Sequence, residues 1–374
     1  MYKLMILSFF IGCLIFLRVI LPIKSKWKWA AAVPLALAAL KFPIIRVIGG
    51  PKLFAPTVPG WVILGGGWLY AAMMFFFFLL LVYELVRYFA FKKISKEKHR
   101  KYDMWSHLGI LSAVIVIVSI GVYNTIPTPK ITNYTVKVKD LPPQASGLRI
   151  AVLADLHADP LTGEKRIAGM VRRTMEQNAD VIAIVGDMVD GSVERTGPSV
   201  APLKDLKAKY GVYAVSGNHE YYSGYDKWRK EFQRLGLNML DNKNVVLDCG
   251  VAIAGVPDRA ARRRVPPTPS LNEALKGIPE KTPVVLLAHR PDVANQAAYK
   301  KGVVLQLSGH THGGMAPFLK QIVANMNEGF VSGLYKIKDT VLIVSNGSGI
   351  WNGFPVRLCV PAEIIVVTLK RQMR

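Results

Sequence analysis

The sequence predicts two unlike parts, a bundle of about four transmembrane helices over residues 1–127 and an α/β domain over residues 128–374. Three observations predict this division. Nearly all long apolar runs lie before Tyr123. Beyond Pro127 and Pro129, short apolar runs alternate with amphipathic stretches, the βαβ pattern of an α/β sheet. Five of the seven histidines stand where those short runs end, leaving only His99 and His107 in the apolar part.

Four runs near the ~20 apolar residues needed to cross hydrocarbon read as spans: about Leu4–Ile23, Trp29–Ile48, Trp61–Val86 and His107–Ile126. The second is interrupted by Lys41 and contains Pro34 and Pro43, each of which removes a helical hydrogen bond, so a kinked or re-entrant segment is its alternative. The first contains Arg18 and is followed by further spans, so it reads as retained rather than as a cleaved signal.

Orientation follows from the basic residues, which resist translocation. Lys24, Lys26, Lys28 and the loop Arg87–Lys101 place ten Lys and Arg on one side, against Lys3, Lys41, Arg46 and Lys52 on the other. With the ten in the cytoplasm, the last span runs outward. The expected location is therefore a plasma membrane crossed several times, with everything after about Thr128 extracytoplasmic.

The net charge of +23 is shared between both parts. On a soluble domain such an excess points to anionic partners, namely phosphate esters, lipid head groups or nucleic acid. Cys13, Cys249 and Cys359 are too few and too scattered for a disulfide framework or a thiolate zinc site.

In the second part, Leu148–Ala154, Val181–Val185, Val212–Val215, Val284–Ala288, Val303–Leu307, Val341–Val344 and Ile364–Leu369 read as strands, with a helix over Glu164–Gln177. Five of these strands run into metal-ligand residue types. The first ends at Asp155-Leu156-His157, the second at Gly186-Asp187-Met188-Val189-Asp190 and the third at Gly217-Asn218-His219-Glu220. The fourth delivers His289, and the fifth Gly309-His310-Thr311-His312-Gly313-Gly314. Ligand sites in α/β sheets gather at the carboxyl ends of strands, and one such element alone would be an ordinary structural residue. Five together point to a metal site.

The order D-x-H, G-D-x-x-D, G-N-H-E, H, G-H-x-H resembles the calcineurin-like metallophosphoesterase superfamily from about Thr128 to the C-terminus. Leu287-Ala288-His289-Arg290-Pro291-Asp292, His310–Gly314 and Arg357–Ile364 look like bacterial membrane-associated members of the YkuE and YaeI type. The resemblance implies a four-layer α/β/β/α sandwich and a dinuclear metal-dependent phosphoester hydrolase, a phosphodiesterase or phosphatase. It also implies that Asp155, His157 and His312 bind one metal, that Asn218, His289 and His310 bind the other, and that Asp187 bridges them. His219 then faces the substrate, oriented by Asp190, to stabilise phosphoryl charge or protonate the leaving oxygen. Family members often have Asp after Gly-Asn-His and can carry Arg after G-D-x-x-D. Here Glu220 and Gly191 stand at those places, and the second change removes one expected phosphate clamp.

Such carboxylate, imidazole and amide donors suit Mn²⁺, Fe or Zn²⁺, and four imidazoles argue against Mg²⁺ or Ca²⁺. Two ions held about 3.5–4 Å apart would turn a bridging water into hydroxide for in-line attack on phosphorus. Several neighbouring features carry less. The run Arg259, Arg262, Arg263, Arg264 is a solvated loop or a lid over an anion. Tyr221, Tyr222 and Trp228 are core or pocket wall. Asn346–Trp351 and Arg357 form a late loop that could approach the site. The substrate class expected at an outer membrane face is a lipid-linked or cell-wall-related phosphoester. A membrane-tethered nuclease ranks lower for want of an aromatic and basic strand-binding platform, and a non-catalytic sensor is opposed by the complete donor set.

Overall fold

The computed structural model describes residues 2–50, 54–90, 96–263, 267–300 and 302–372. Lys52, Lys92 and Lys93 of the orientation argument, and Arg264 of the basic run, lie outside the described residues. The chain divides into two compact units, one formed by Met1–Ile126 with Asn352–Val356, the other by Pro127–Trp351 with Arg357–Arg374.

Among the described residues of the first unit, two helices are long and apolar enough to cross a membrane, Gly60–Phe89 and Lys98–Tyr123. The second apolar run is a broken pair, Lys28–Ala39 and Lys41–Ile48, bent by 71°. Pro43 explains the break: it lacks an N–H, and its ring excludes the carbonyl four residues earlier, so the first helix stops at Ala39. Leu4–Ile20 is a shorter apolar helix, its last turn widened into a π-helix over Phe16–Ile20. Among the described residues, length and composition support two spans, or three with the bent pair counted as one, of the four expected from the sequence.

Four charges among the described residues of this unit are paired. Arg18 meets Glu84 at 2.7 Å and Asp103 at 3.2 Å, Arg87 meets Asp103 at 2.9 Å, and the Tyr83 hydroxyl donates to Asp103 at 2.6 Å. Each ion thus has a partner on another helix or turn, as ionisable groups among apolar helices require.

The second unit holds two six-stranded sheets. The first contains β1 (Lys130–Val138), β2 (Arg149–Leu153), β3 (Val181–Val185), β4 (Val212–Val215), β5 (Asn238–Met239) and β12 (Glu363–Arg371), in the order β1-β12-β2-β3-β4-β5. The second contains β6 (Lys243–Val246), β7 (Ala252–Val256), β8 (Val284–Ala288), β9 (Val303–Ser308), β10 (Gly333–Ile337) and β11 (Thr340–Val344), in the order β10-β11-β9-β8-β7-β6. The central strands β2, β3 and β4 run parallel to one another, as do β7, β8 and β9, and they are nearly continuous runs of Val, Ile, Leu and Ala because both their faces are covered.

Alternation along those strands builds three apolar layers. Ile150, Val152, Ala183 and Val185 face Ile253, Val285, Leu287 and Leu305 between the sheets. Ala151, Leu153, Ile182 and Ile184 point outward beneath Ile167, Met170 and Val171 of the helix Glu164–Met175 and beneath Trp228 and Phe232. Ala252, Ala254, Leu286 and Ala288 point outward from the other sheet toward Ala274 and Ala297. The arrangement is helix, sheet, sheet, helix. The helix Glu164–Met175 forms because Ile167, Met170, Val171 and Thr174 share one buried stripe at helical spacing, with Glu164 in its first turn and Arg172 and Arg173 in its last.

Candidate metal centre

The carboxyl ends of β2, β3, β4, β8 and β9 deliver Asp155, Asp187, Asn218, His289 and His310, so both sheets supply the site. His157 and His312 follow two residues after the first and last of these. Asp155, His157, Asp187, His310 and His312 all have left-handed backbones, with φ between 45° and 74°. Such a conformation is uncommon for residues with a Cβ, and its recurrence at the donor positions marks a strained functional cluster.

Tight turns let the two sheets approach. At Gly217 a Cβ would fall on the Asp187 carboxylate, and at Gly309 one would stand 2.5 Å from Asp155 Oδ2. Glu220 fastens two of the ligand loops together: its carboxylate accepts from the backbone N–H groups of Asp187 at 3.1 Å, Met188 at 2.7 Å and Gly217 at 2.6 Å. Burial and the nearby Asp187 push the Glu220 carboxyl up to about 7, while those backbone donors favour its ionised form.

Three groups of side chains bring ligand atoms within 4.8 Å of one another: Asp155, His157 and His312; Asp187, His289 and His310; and His157, Asp187 and His219. Asp187 Oδ2 stands 3.2 Å from His289 Nε2, 3.9 Å from His157 Nε2 and 4.0 Å from His219 Nε2, between the two ends of the cluster. Its other oxygen accepts from the His219 backbone N–H at 2.8 Å.

Hydrogen bonds on the far sides of the rings leave the inward nitrogens bare. His157 Nδ1 lies 3.0 Å from Asp190 Oδ2 and donates to it, so the Nε2 lone pair points at His312 Nε2, 3.1 Å away. His289 Nδ1 donates to the Val185 carbonyl at 2.9 Å, and its Nε2 faces His310 Nδ1 at 3.1 Å. Two imidazole lone pairs at that separation need a cation between them, and the outer bonds that hold the His157 and His289 rings are the usual support of a metal-ligating histidine. The donor set therefore fits divalent ions.

At two of the rings the electrostatics agree. Burial, reinforced by His289 and Arg290 for one and by His157 and Arg357 for the other, holds His310 and His312 well below the ordinary imidazole range, in the neutral form that ligation needs. Burial opposes charging of His289, yet Asp187 and Asp155 push it up to about 10. Burial likewise opposes charging of His219, and Asp190 and Asp187 push it up to about 9. Burial works against ionisation of Asp187 as well, but His289, His219 and His157 hold it well below the usual carboxylate range.

Around this cluster Tyr222 tilts over His219 with ring centroids 5.4 Å apart, and Trp351 stacks on His312 at 6.2 Å. Tyr221 and Trp228 are core instead: Tyr221 stacks on Tyr225, and Trp228 is fully buried with its indole N–H on the Gly191 carbonyl. Arg357 is buried and donates to the carbonyls of Gly347 and Gly349. Arg259, from the basic run, pairs with Asp292 at 2.8 Å. Sequence reasoning gave no role to two neighbours of the cluster, Arg290 and its buried partner Asp258, although Arg290 stands in the stretch Leu287–Asp292 that carried the resemblance.

Comparison with known proteins agrees with this geometry. The profile of the calcineurin-like phosphoesterase family matches residues 148–314, from the start of β2 to the Gly-Gly after His312. A transmembrane protein with metallophosphoesterase domain from Bos taurus is 32% identical over 363 residues, spanning 92% of this chain and 80% of the relative. The chain belongs to the calcineurin-like phosphoesterase family. A protein of the same description from Danio rerio is 32% identical over 273 residues, and the match spans 62% of its length. The metallophosphoesterase YkuE of Bacillus subtilis is 26% identical over 257 residues, spanning 64% of this chain and 85% of that one. The narrower likeness thus holds for YkuE, beside matches to vertebrate proteins described as transmembrane.

Proposed function

We propose that this metallophosphoesterase is a dinuclear, metal-dependent phosphoester hydrolase, with residues 1–127 as its membrane anchor and 128–374 as its catalytic domain. The observation that carries the reading is Asp187 Oδ2, placed between His289 Nε2 at 3.2 Å and His157 Nε2 at 3.9 Å, where one carboxylate can serve two ions.

Asp155, His157 and His312 would hold one ion, and Asn218, His289 and His310 the other, with Asp187 shared. Mn, Fe or Zn suits these donors, and supplies Lewis acidity to the attacking water and to the phosphoryl oxygens. The protein supplies the rest. His219 keeps 7% side-chain exposure and is the imidazole left outside the two ligand sets, so it is the one that can meet the substrate. Asp190 holds its Nδ1 and turns Nε2 toward the open side, where a protonated ring neutralises phosphoryl charge and delivers its proton to the leaving oxygen. Tyr222 and Trp351 flank that opening.

Ten basic residues against four favour a multi-pass arrangement in the plasma membrane with the catalytic domain outside the cytoplasm, facing lipid-linked or cell-wall-related phosphoesters. A reporter fused after Arg374 tests the side, and a cytoplasmic signal overturns it. The activity is tested on the full-length chain in detergent, loaded with Mn²⁺ and given bis-p-nitrophenyl phosphate and p-nitrophenyl phosphate. Metal-dependent release of nitrophenol from either is expected, and release from neither overturns the reading.

A further inference from the structure

The Arg290 guanidinium makes three polar contacts, all of them at the rim of the candidate metal centre. Its Nε donates to Asp258 Oδ2 at 2.7 Å, its Nη2 to Asn218 Oδ1 at 3.1 Å, and its Nη1 lies 2.5 Å from His310 Nε2. The Asp258 side chain is wholly buried while that of Arg290 keeps 14% exposure, so the carboxylate anchors one edge of the guanidinium and the other edge faces the site. We propose that Arg290, positioned by Asp258, is the anion clamp of this site, binding the non-reacting oxygens of a phosphoryl group beside the Asn218 and His310 end of the cluster.

Donor chemistry carries the argument. His310 turns Nδ1 toward His289 Nε2 and Nε2 toward Arg290. An imidazole that ligates through Nδ1 carries its proton on Nε2, and an N–H cannot accept from a guanidinium. Asn218 Oδ1 is likewise spent once it serves as a ligand. With the site loaded, the Nη1 and Nη2 edge of Arg290 faces one donor and one occupied acceptor, beside cationic charge, and needs an anion. The planar fork of a guanidinium matches two oxygens of a phosphate, and its Asp258 anchor fixes the fork without consuming it. Arg357, the neighbouring guanidinium, is spent on the backbone carbonyls of Gly347 and Gly349 and lies buried.

The inference rests on the hydrolase reading for its ligand class, yet it is tested by binding rather than turnover. Inorganic phosphate is titrated calorimetrically into the full-length, Mn²⁺-loaded chain in detergent, with bound metal counted in the same samples. Arg290→Gln is expected to weaken phosphate binding at least tenfold with metal content unchanged, and Arg290→Lys to weaken it by less. Because Arg290→Gln leaves Asp258 unpaired, the double variant Arg290→Gln with Asp258→Asn removes the clamp without a buried orphan charge, and it is expected to match the single variant. Equal phosphate affinity in wild type and the double variant overturns the clamp, as does a wild type that binds no phosphate. Arg290-dependent phosphate binding in a chain that hydrolyses neither nitrophenyl ester upholds the clamp while the hydrolase reading falls. Hydrolysis with Arg290-independent phosphate binding does the reverse.

Discussion

His157 and His219 are joined by one carboxylate: Asp190 Oδ2 lies 3.0 Å from His157 Nδ1, and Asp190 Oδ1 is hydrogen-bonded to His219 Nδ1. The two rings meet edge to face with centroids 4.7 Å apart. Asp190 therefore supports a candidate metal ligand and the candidate proton donor together, a wider role than orienting His219. Asp190→Asn is expected to lower kcat by about 10²–10⁴, the usual worth of a positioned acid. It is also expected to weaken metal affinity by about 10–100-fold, as loss of a carboxylate behind a ligating histidine does. His219→Ala should show the first effect without the second. Metal affinity by competition with a chelator separates the two, and an Asp190→Asn protein with full metal affinity refutes the double role.

Gly217 is irreplaceable for a spatial reason. A methyl group there meets the Asp187 carboxylate and backbone nitrogen, so Gly217→Ala must displace the shared ligand. Bound metal should fall below half of the wild-type content while the far-UV circular dichroism stays native. Wild-type metal content in that variant contradicts the placement of Asp187.

Glu220 ties Asp187, Met188 and Gly217 through three backbone N–H groups. Glu220→Ala leaves those buried donors unpaired, at about 1–3 kcal/mol for each. The expected result is a lower denaturant midpoint and weaker metal binding, since the same loops carry Asp187 and Asn218. Equilibrium unfolding with and without Mn²⁺ measures both, and an unchanged midpoint removes Glu220 from the account.

Chelation should destabilise the protein. Asp155, Asp187 and Asp190 are packed in one buried cluster with left-handed backbones at the first two, and a bound cation stabilises the folded chain in proportion to RT ln(1 + [L]/Kd). The thermal midpoint is expected to fall on removal of metal and to return with Mn²⁺ but not with Mg²⁺, whose geometry four imidazoles do not suit. A midpoint indifferent to chelation counts against a resident ion.

Much of the site was legible because β3, β4 and β8 are buried on both faces and so appear as unbroken apolar runs with a donor at the end. Strands with mixed polarity were not: β1 is an edge strand with exposed positions along most of its length, and β6 lies at the opposite edge of the other sheet. β7, Ala-Ile-Ala-Gly-Val, is fully buried, but small residues weaken its signal. The roles of Glu220 and Arg290 depend on partners that are distant in sequence: Asp187 and Met188 for the first, Asn218 and Asp258 for the second. The broken helix at Leu40 was foreshadowed by Pro43.

Metal stoichiometry of the purified chain decides whether Asp187 joins two ions. Two divalent ions per chain are expected in wild type, one in His157→Ala and one in His289→Ala, with Asp187→Asn weakening both sites together. A single ion that survives His289→Ala, or two that ignore Asp187→Asn, would contradict a centre shared through Asp187.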